Sequence, residues 1–366
     1  MAGRLAFLLG SLAGGGAERT MLLLAGRFAA AGHGVDLVLG RAEGAYLSAV
    51  PDGVRVVDLG AARTLTLVPR LAHWLRRERP GALLSTTDAV NLAAVAARRL
   101  SGVPTRLVLR QSEAVAPSLD GATRLRDRWR LPLLRWLYPQ ADAIVAISRG
   151  VADDLAATVG VRRDRVTVIH NPVDVARAAA LAAEPLDDPW FAAGAPPVVL
   201  AVGRLVAQKD FATLLDAFAR LRARRPARLV VLGDGPLRAG LRTRAEALGI
   251  AADVAFPGFA ANPFRFMARA GVFALSSRWE GFGNVLVEAL ACGCPVVSTD
   301  CPSGPAEILE DGRWGALVPV GDADRLAAAL DAALDDPGDT DARRRRAADF
   351  APERALPRYA AVLQCS

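Results

Sequence analysis

Short runs of consecutive apolar residues recur along the chain, each followed by a longer segment whose apolar residues repeat at helical spacing. The runs have the length and the Val, Leu and Ala content typical of strands buried on both faces of a sheet. They predict strands that begin near Leu5, Val35, Val54, Leu83, Arg106, Ala143 and Val166, and again near Val198, Leu229, Val254, Val272, Val296 and Ala316. Because strands and helices alternate throughout, the pattern predicts an α/β fold with doubly wound parallel sheets.

The length of the chain and one break in this pattern predict two domains. A chain of 366 residues is too long for one compact α/β core and suits two Rossmann-like domains with a cleft between them. Pro172 breaks the last strand of the first half, and residues 176–194 are interrupted by polar residues and proline. The predicted divisions are an N-terminal domain over 1–175, a C-terminal domain over 176–350, and a closing segment 351–366 whose helix covers Glu353 to Leu363.

The first residues predict a βαβ unit. The run LAFLLG is a buried strand, GGGAER is a glycine loop, a helix covers Glu18 to Ala31, and the next strand covers Val35 to Leu39. The competing interpretation is a secretory signal, since one arginine precedes a short apolar run and small residues. No run of about 18 uninterrupted apolar residues occurs, so no membrane-spanning helix is expected. The sequence therefore predicts a cytoplasmic protein.

Cysteine and histidine usage argues against disulfide and metal frameworks. The four cysteines, at positions 292, 294, 301 and 365, lack paired metal-ligand spacing and are expected to be free thiols. With only three histidines in the chain, a zinc centre is not expected, and no motif requires a metal. We interpret His33 and His170 as structural residues.

Positive charge is concentrated in the first half. Residues 1–175 hold 23 arginines and 15 acidic residues, a net charge of +8, whereas the remainder carries −1. The segment from Arg124 to Arg135 interleaves arginines with Leu and Trp and predicts a basic amphipathic helix. Such a helix could lie on anionic lipid headgroups or pack on its own domain with arginines in solvent. No aromatic stacking platform accompanies the charge, so nucleic acid is not expected as a partner. The run Arg343–Arg346 is interpreted as one side of a solvated helix.

Two glutamates eight residues apart flank a glycine turn that opens a predicted helix from about Asn284 to Cys292. The turn follows the apolar strand VFALSS, and free N–H groups at a helix start suit a diphosphate. Glu280 can accept hydrogen bonds from sugar hydroxyls, and Glu288 can bind the two hydroxyls of a ribose. The segment therefore predicts a sugar-nucleotide site built from Glu280, Gly281, Phe282, Gly283, Asn284, Val285 and Glu288.

A second phosphate-binding candidate is VGRLVAQKD. Lys209 is the only lysine among 45 cationic residues. It lies with Arg204 in the loop that begins at the glycine turn Gly203, itself a donor-binding candidate, beyond a predicted strand from Pro197 to Val202. Ligands of open α/β sheets bind beyond the carboxyl ends of strands. Arginine grips phosphate oxygens through paired hydrogen bonds and lysine supplies a flexible point charge, so both could neutralise a leaving diphosphate.

Several motifs in order resemble one family over nearly the whole chain. EGFGNVLVEALACGCPVV is similar to the glutamate-x7-glutamate motif of the family-4 retaining glycosyltransferases of the GT-B fold. GGGAER, HNPVD, VGRLVAQKD, LGDGPL, FPGF and SGPAEIL fit the same family in the same order. The resemblance implies that the closing helix crosses back onto the N-terminal domain. It implies phosphate roles for Arg204, Lys209 and Gly16, and a frame for the nucleobase made by Gly233, Asp234, Gly258 and Phe259.

The acceptor side is less well defined. Gly15 and its neighbours in the first glycine loop have no side chains, so a sugar or phosphate can approach the backbone closely. The resemblance places Glu18 among the acceptor contacts. Many relatives carry a histidine after the strand that corresponds to 105–109, but here the sequence is VLRQSEAV. Glu113 is the candidate for the acceptor-side group, and the alternative is a buried carboxylate satisfied by Arg110.

The resemblance implies a retaining, metal-independent glycosyltransferase, placed at the inner membrane face as a peripheral protein. It would move a hexose or N-acetylhexosamine from a nucleotide diphosphate sugar to a glycan or polyprenyl-linked acceptor. STDCPSGPAEIL resembles subfamilies that use UDP-linked donors, and GDP-mannose is the alternative donor. The donor is a co-substrate, and no cofactor is expected. The alternatives are a sugar-nucleotide epimerase, a phosphorylase of similar fold, and a non-catalytic sugar-nucleotide-binding protein. A phosphorylase would need its lysine for a cofactor Schiff base, which the loop position of Lys209 disfavours.

Overall fold

The computed structural model describes residues 3–61, 63–119 and 129–365, and their contacts divide the chain into two units. Unit 1 comprises Met1–Pro172 and Pro352–Ser366, and unit 2 comprises Val173–Ala351. The predicted domains were 1–175 and 176–350, followed by the segment 351–366. Each unit contains one parallel sheet flanked by helices, as the alternating pattern predicts.

The sheet of unit 1 has seven parallel strands in the order β3-β2-β1-β4-β5-β6-β7. The strands are β1 Leu5–Leu9, β2 Val35–Leu39, β3 Val54–Asp58, β4 Ala82–Thr86, β5 Arg106–Gln111, β6 Ala143–Ala146 and β7 Val166–Val168. The helices are α1 Gly16–Ala30, α2 Thr64–Glu78, α3 Asp88–Ser101, α4 Ala116–Leu119, α5 Arg130–Leu137, α6 Arg149–Asp154 and, from the end of the chain, α15 Pro352–Leu363. All the predicted strands of this half are confirmed, and β1, which is buried at every position, lies inside the sheet.

The sheet of unit 2 has six parallel strands in the order β10-β9-β8-β11-β12-β13. The strands are β8 Val198–Val202, β9 Arg228–Leu232, β10 Val254–Gly258, β11 Val272–Leu275, β12 Val296–Thr299 and β13 Ala316–Val318. The helices are α7 Val175–Ala182, α8 Phe211–Arg222, α9 Arg238–Ala247, α10 Phe264–Met267, α11 Asn284–Ala291, α12 Pro305–Leu309, α13 Ala323–Asp335 and α14 Thr340–Ala348. The predicted strands of this half are confirmed as well.

The last helix packs in the core of unit 1. Tyr359 is fully buried, and with Ala355 and Leu363 it joins the apolar cluster formed by β1, α1 and β2. The Arg106 guanidinium donates to the carbonyl of Val362 at 2.7 Å, which fixes the end of α15 on the neighbouring strand β5. The predicted helix is therefore confirmed, and it completes the core of the first unit.

Two expectations about arginine-rich segments have different outcomes. The predicted basic helix begins at Arg124, and residues 120–128 lie outside the described part of the chain. Its remainder is helix α5, where Trp129 and Trp136 are exposed. The prediction of a solvated face for Arg343–Arg346 is confirmed for Arg344 and Arg345, which are exposed, and was wrong for the other two: Arg343 is 7% exposed and the Arg346 side chain 11% exposed. Both guanidinium groups donate to backbone carbonyls, which supply acceptors that water would otherwise provide.

Candidate functional site

The strand order of unit 2 places the predicted site loops at a topological switch point. Strand β8 pairs with β9 on one side and with β11 on the other, so the connections that leave β8 and β11 diverge. In open α/β sheets, ligands bind in the crevice that such a divergence opens beyond the carboxyl ends of the strands. Residues 203–210 follow β8 and residues 276–283 follow β11, which brings both predicted segments to this edge.

Lys209 and Glu280 form a salt bridge between the two loops. The Glu280 carboxylate is buried, and the Ser277 hydroxyl donates to the same oxygen, Oε1, at 2.6 Å. The Lys209 stem lies against Gly203, where an added Cβ would be 3.5 Å from the lysine Cε. The sequence placed these two side chains in one site with separate roles, and the structure joins them directly.

Backbone and side-chain hydrogen bonds fasten the two loops together on either side of this pair. The Arg278 N–H donates to the Gln208 carbonyl at 2.8 Å, and the Gln208 amide donates to the Trp279 carbonyl at 3.0 Å. The Ser276 hydroxyl donates to the Lys209 carbonyl at 2.8 Å. These contacts hold the lysine ammonium beside the glutamate carboxylate and make the two loops one structural element.

Asp210 terminates the first loop in a left-handed conformation, with φ of 44°. Its carboxylate accepts hydrogen bonds from the Thr213 hydroxyl at 2.9 Å and from the Arg278 guanidinium at 3.1 Å. An aspartate cap offsets part of the strain of this φ and starts helix α8 directly after Lys209. The lysine is thereby fixed just before the start of α8 as well as by its ion pair.

The glycine turn opens helix α11 as predicted. Gly283 has φ of +95°, a region in which other residues are strained, and it caps the helix that begins at Asn284. Gly281 and Phe282 are buried, whereas Asn284 and Val285 are half-buried. The first N–H groups of a helix have no intrahelical acceptor, so this end can bind an anion such as a phosphate. Glu288 lies one turn inside the helix and is buried.

The SGPAE segment packs directly on this turn. Gly304 has φ of +95°, and a Cβ added there would lie 2.0 Å from the carbonyl oxygen of Phe282. Ser303, just before it, also has a positive φ of 69°. Only glycine permits this close approach, so the SGPAE segment and the EGFG turn fix one another's position.

The other predicted donor residues line up at the ends of β8, β9 and β10. Gly233 donates its N–H to the Gly258 carbonyl at 2.7 Å, and an added Cβ at Gly233 would lie 2.0 Å from the Gly203 carbonyl oxygen. Gly203, Gly233 and Gly258 thus lie side by side. Asp234 and Phe259, predicted with them, are exposed, and the Phe259 ring is 76% exposed.

Arg204 differs from Lys209 in its surroundings. Its side chain is exposed, and within the described ranges it forms no ion pair.

Three thiols of the same unit are buried. Burial raises the pKa of Cys292 and of Cys301 to about 12, and it raises the pKa of Cys294 even further. These thiols are therefore protonated at neutral pH and are poor nucleophiles.

The predicted acceptor-side residues lie in unit 1. Gly15 ends the loop between β1 and α1, and Gly16 is the first residue of α1, at the switch point between β1 and β4. The Glu18 carboxylate lies back over the loop, since a Cβ added to Gly15 would be 2.4 Å from its Oε2. The glutamate therefore occupies the start of α1, where a carboxylate is favoured by the helix dipole.

Glu113 is exposed, so the alternative of a buried carboxylate satisfied by Arg110 was wrong. Arg110 itself is fully buried and donates to the Thr86 hydroxyl at 2.9 Å, the Asn171 amide oxygen at 2.5 Å and the Tyr359 hydroxyl at 3.3 Å. Sequence reasoning missed this cluster. Its one local signal is an arginine inside the otherwise buried strand β5.

None of the helices in the described ranges combines the length and apolar character that crossing a membrane requires.

Comparisons with known proteins show the family of this chain. Residues 14–177 match the family model described as Glycosyltransferase Family 4, and residues 184–353 match the one described as Glycosyl transferases group 1. The chain is 32% identical to the lipopolysaccharide core biosynthesis glycosyltransferase LpsE of Rhizobium meliloti, over 72% of this chain and 68% of LpsE.

A further relative is N-acetylgalactosamine-N,N'-diacetylbacillosaminyl-diphospho-undecaprenol 4-alpha-N-acetylgalactosaminyltransferase of Campylobacter jejuni. The match has 34% identity over 65% of this chain and 63% of that protein, so the chain spans somewhat less than two thirds of this relative's length. Among solved structures, HepE of Anabaena in complex with UDP-glucose superposes with a TM-score of 0.81 at 22% identity, over 99% of both chains. That likeness shows the fold. The chain belongs to the family-4 glycosyltransferases of the GT-B fold.

Proposed function

We propose that this protein is a retaining glycosyltransferase that moves a sugar from a UDP-linked donor to a hydroxyl of a lipid-linked glycan. The observation that carries the proposal is the Lys209–Glu280 salt bridge at the switch point of unit 2, beside the start of α11. A buried carboxylate can orient sugar hydroxyls, and an adjacent ammonium with a helix N-terminus can hold a diphosphate.

The ammonium of Lys209 has donors to spare for a ligand. An ammonium carries three N–H groups, and within the described ranges the Lys209 ammonium donates to one partner, Glu280. Without donor, the ammonium neutralises the buried carboxylate. With donor, its remaining N–H groups would reach the diphosphate while Glu280 accepts from the sugar. In this proposal, the positive charges of Lys209 and Arg204 and the positive end of the α11 dipole stabilise the diphosphate, as a metal ion does in metal-dependent enzymes.

The chemistry proposed is a front-face displacement. The bond between the anomeric carbon and the β-phosphate oxygen breaks, and the acceptor oxygen bonds to the same face of that carbon. The acceptor proton passes to the departing phosphate oxygen, whose developing negative charge Lys209 and the first N–H groups of α11 stabilise. Because the acceptor oxygen enters on the face from which the phosphate departs, the sugar keeps its anomeric configuration without a covalent intermediate.

The donor and acceptor classes are supported by the names of similar proteins. HepE was solved with UDP-glucose, the Campylobacter relative is named for an undecaprenol diphosphate-linked acceptor, and LpsE for lipopolysaccharide core synthesis. We propose a UDP-linked hexose or N-acetylhexosamine as donor and a polyprenyl-linked glycan as acceptor. Gly15, Glu18 and Glu113 of unit 1 are proposed to contact that acceptor.

If the acceptor is attached to a lipid carrier, the enzyme must act at a membrane surface. Helix α5 exposes 68% of Trp129 and 61% of Trp136, and the Arg99 guanidinium lies 5.5 Å from the centre of the Trp136 ring. Exposed tryptophan beside arginine is the composition that favours the interface of an anionic bilayer. We propose that this surface rests on the inner face of the cell membrane.

The test combines ligand binding with matched substitutions. Melting temperature and slow donor hydrolysis would be measured with UDP-, GDP-, ADP- and dTDP-sugars, because a ligand that binds the folded state raises the melting temperature. Lys209→Ala and Glu280→Ala should weaken both readouts, whereas the exposed-site controls Arg242→Ala and Glu246→Ala on α9 should not. Stabilisation by no sugar nucleotide would contradict the proposal, and a donor isomerised without acceptor would favour an epimerase.

A further inference from the structure

Helix α14 contains four consecutive arginines with two contrasting environments. Arg343 is buried and Arg346 is half-buried with its side chain 11% exposed, while the side chains of Arg344 and Arg345 are 55% and 71% exposed. A buried guanidinium is costly unless its N–H groups find acceptors. Some of the acceptors that these two residues find belong to the segments that form the proposed donor site. The others lie outside them: Pro337 and Thr340 for Arg343, and Glu310 and Asp349 for Arg346.

Arg343 holds the carboxyl end of α11. Its Nε donates to the Gly293 carbonyl at 2.9 Å, two residues after the helix ends at Ala291. A further N–H donates to the Thr340 hydroxyl at 3.1 Å, which ties the same guanidinium to α14. A cation at this end of a helix is favoured by the dipole, so Arg343 stabilises the helix whose other end begins at the glycine turn.

Arg346 holds the SGPAE segment. Its Nε donates to the Ile308 carbonyl at 2.9 Å, and a terminal N–H donates to the Glu307 carbonyl at 2.7 Å. The segment begins with Gly304, whose backbone lies against the Phe282 carbonyl. Through this contact the arginine acts on the turn that follows Glu280.

An aromatic contact supplies a second path from Arg346 to the same turn. The guanidinium lies 4.7 Å from the centre of the Phe350 ring, and that ring meets the Phe282 ring edge-on at 5.4 Å. Phe282 is fully buried in the turn between Glu280 and Gly283. One side chain therefore contacts both the carbonyls of the SGPAE segment and the ring that supports the glycine turn.

We propose that Arg343 and Arg346 are positioning residues for the donor site, which hold α11, the SGPAE segment and the glycine turn in one arrangement. The inference rests on the proposed function, because it assigns these arginines to the site that binds the sugar nucleotide. Neither arginine touches the ligand: Arg343 acts through the Gly293 carbonyl, and Arg346 acts through Phe350 and the carbonyls of Glu307 and Ile308.

The experiment compares Arg346→Met, Arg346→Lys and the control Arg345→Met. Arg345 is its neighbour on α14 and pairs only with the exposed Asp339 among the described residues. UDP and UDP-glucose serve as probes. Arg346→Met should raise the dissociation constant for the probe about tenfold, which is about 1.4 kcal/mol. Arg346→Lys should give an intermediate value, since lysine restores the charge but not the paired donors. Arg345→Met should stay within about twofold of the unmodified protein.

Hydrogen exchange of the ligand-free proteins provides a readout that does not depend on the ligand. Arg346→Met should speed exchange in peptides that cover 280–293 and 303–309, and Arg345→Met should not. A lower melting temperature with unchanged probe affinity and unchanged exchange in these peptides would overturn the inference. If Arg346→Met does not fold, Phe350→Leu removes the stacked ring and should give the same pattern in weaker form.

The two proposals can fail separately. If the unmodified protein binds neither UDP nor UDP-glucose, the proposed function loses its support, while the exchange comparison still decides whether Arg346 positions these segments. If the unmodified protein binds the probes and Arg346→Met binds them equally well, the positioning role is wrong and the proposed function stands.

Discussion

Lys209 and Glu280 are 71 residues apart in sequence and form a partly buried salt bridge at the edge of the second sheet. The side chains are 18% and 8% exposed, and Ser277 donates to the same carboxylate oxygen. Removal of one partner of such a pair leaves a buried charge without compensation, which costs more than the pair itself contributes.

This relationship predicts the effect of single substitutions on stability. We expect Lys209→Ala to lower the free energy of unfolding by about 3 kcal/mol, because the Glu280 carboxylate stays buried without its cation. The double variant Lys209→Ala, Glu280→Gln should be destabilised by less than the sum of the two single changes. Urea unfolding of the four proteins measures both quantities. A loss below about 1 kcal/mol for Lys209→Ala would show that the carboxylate is satisfied in another way.

The close approach of Gly304 to Phe282 predicts a site-specific effect of one methyl group. Gly304→Ala puts a Cβ against the Phe282 carbonyl oxygen, so the glycine turn must move and UDP-sugar affinity should fall at least about tenfold. The control is Gly321→Ala, which has a similar positive φ of 78° and no neighbouring atom within 4 Å of the added Cβ. It should cost about 1 kcal/mol of stability and leave affinity unchanged. Equal affinities of the two variants, measured by titration, would rule out the steric argument.

Asp36 predicts a dependence of stability on pH. Burial raises the pKa of this carboxyl, but hydrogen bonds from Arg55 and Arg4 outweigh that effect and leave the pKa below its ordinary value of 3.8. A lowered native pKa gives stability that is complete above the unfolded value and is lost as pH falls through the native one. Asp36→Asn should therefore lower the free energy of unfolding by about 2 kcal/mol at neutral pH and by less at about pH 3.

The control for this pH series is the exposed pair of Asp164 and Arg162. Asp164→Asn should change stability little at either pH, because solvent screens exposed ion pairs. Denaturant unfolding at both pH values compares the two variants. A loss for Asp36→Asn that does not shrink on acidification would contradict the assignment of its carboxylate form.

The buried thiols predict the pattern of chemical modification. Cys292, Cys294 and Cys301 are each no more than 5% exposed, and Cys365 is half-buried near the chain end. Since the thiolate is the reacting species, the three buried thiols should react slowly with a thiol reagent at neutral pH, and Cys365 faster. Mass spectrometry should find one modified site in the folded protein and four after denaturation. Rapid modification of Cys301 in the folded protein would show that the loop beside Glu280 opens.

Local sequence determined the elements and the edges at which the loops meet. Apolar runs identified every described strand of both sheets, because the inner strands of a parallel sheet are buried on both faces. The edge strands β3 and β13 are partly exposed. The glycine turn and the start of α11 were likewise predictable, since both depend on the conformational freedom of glycine and on helix geometry within a few residues. The roles of Gly16, Gly233, Gly258 and Glu288 toward a ligand stay predictions.

Tertiary packing alone decided the contacts between distant segments. The sequence showed Lys209 and Glu280 as members of one site, but not that they pair. From the sequence, Arg343 and Arg346 were predicted to lie on a solvated helix face. Arg110 was considered only as a possible partner for Glu113. The physical reason is common to all of them. Whether a charged side chain is solvated or buried depends on which carbonyl, hydroxyl or carboxylate the fold brings beside it, and residues distant in sequence supply those groups.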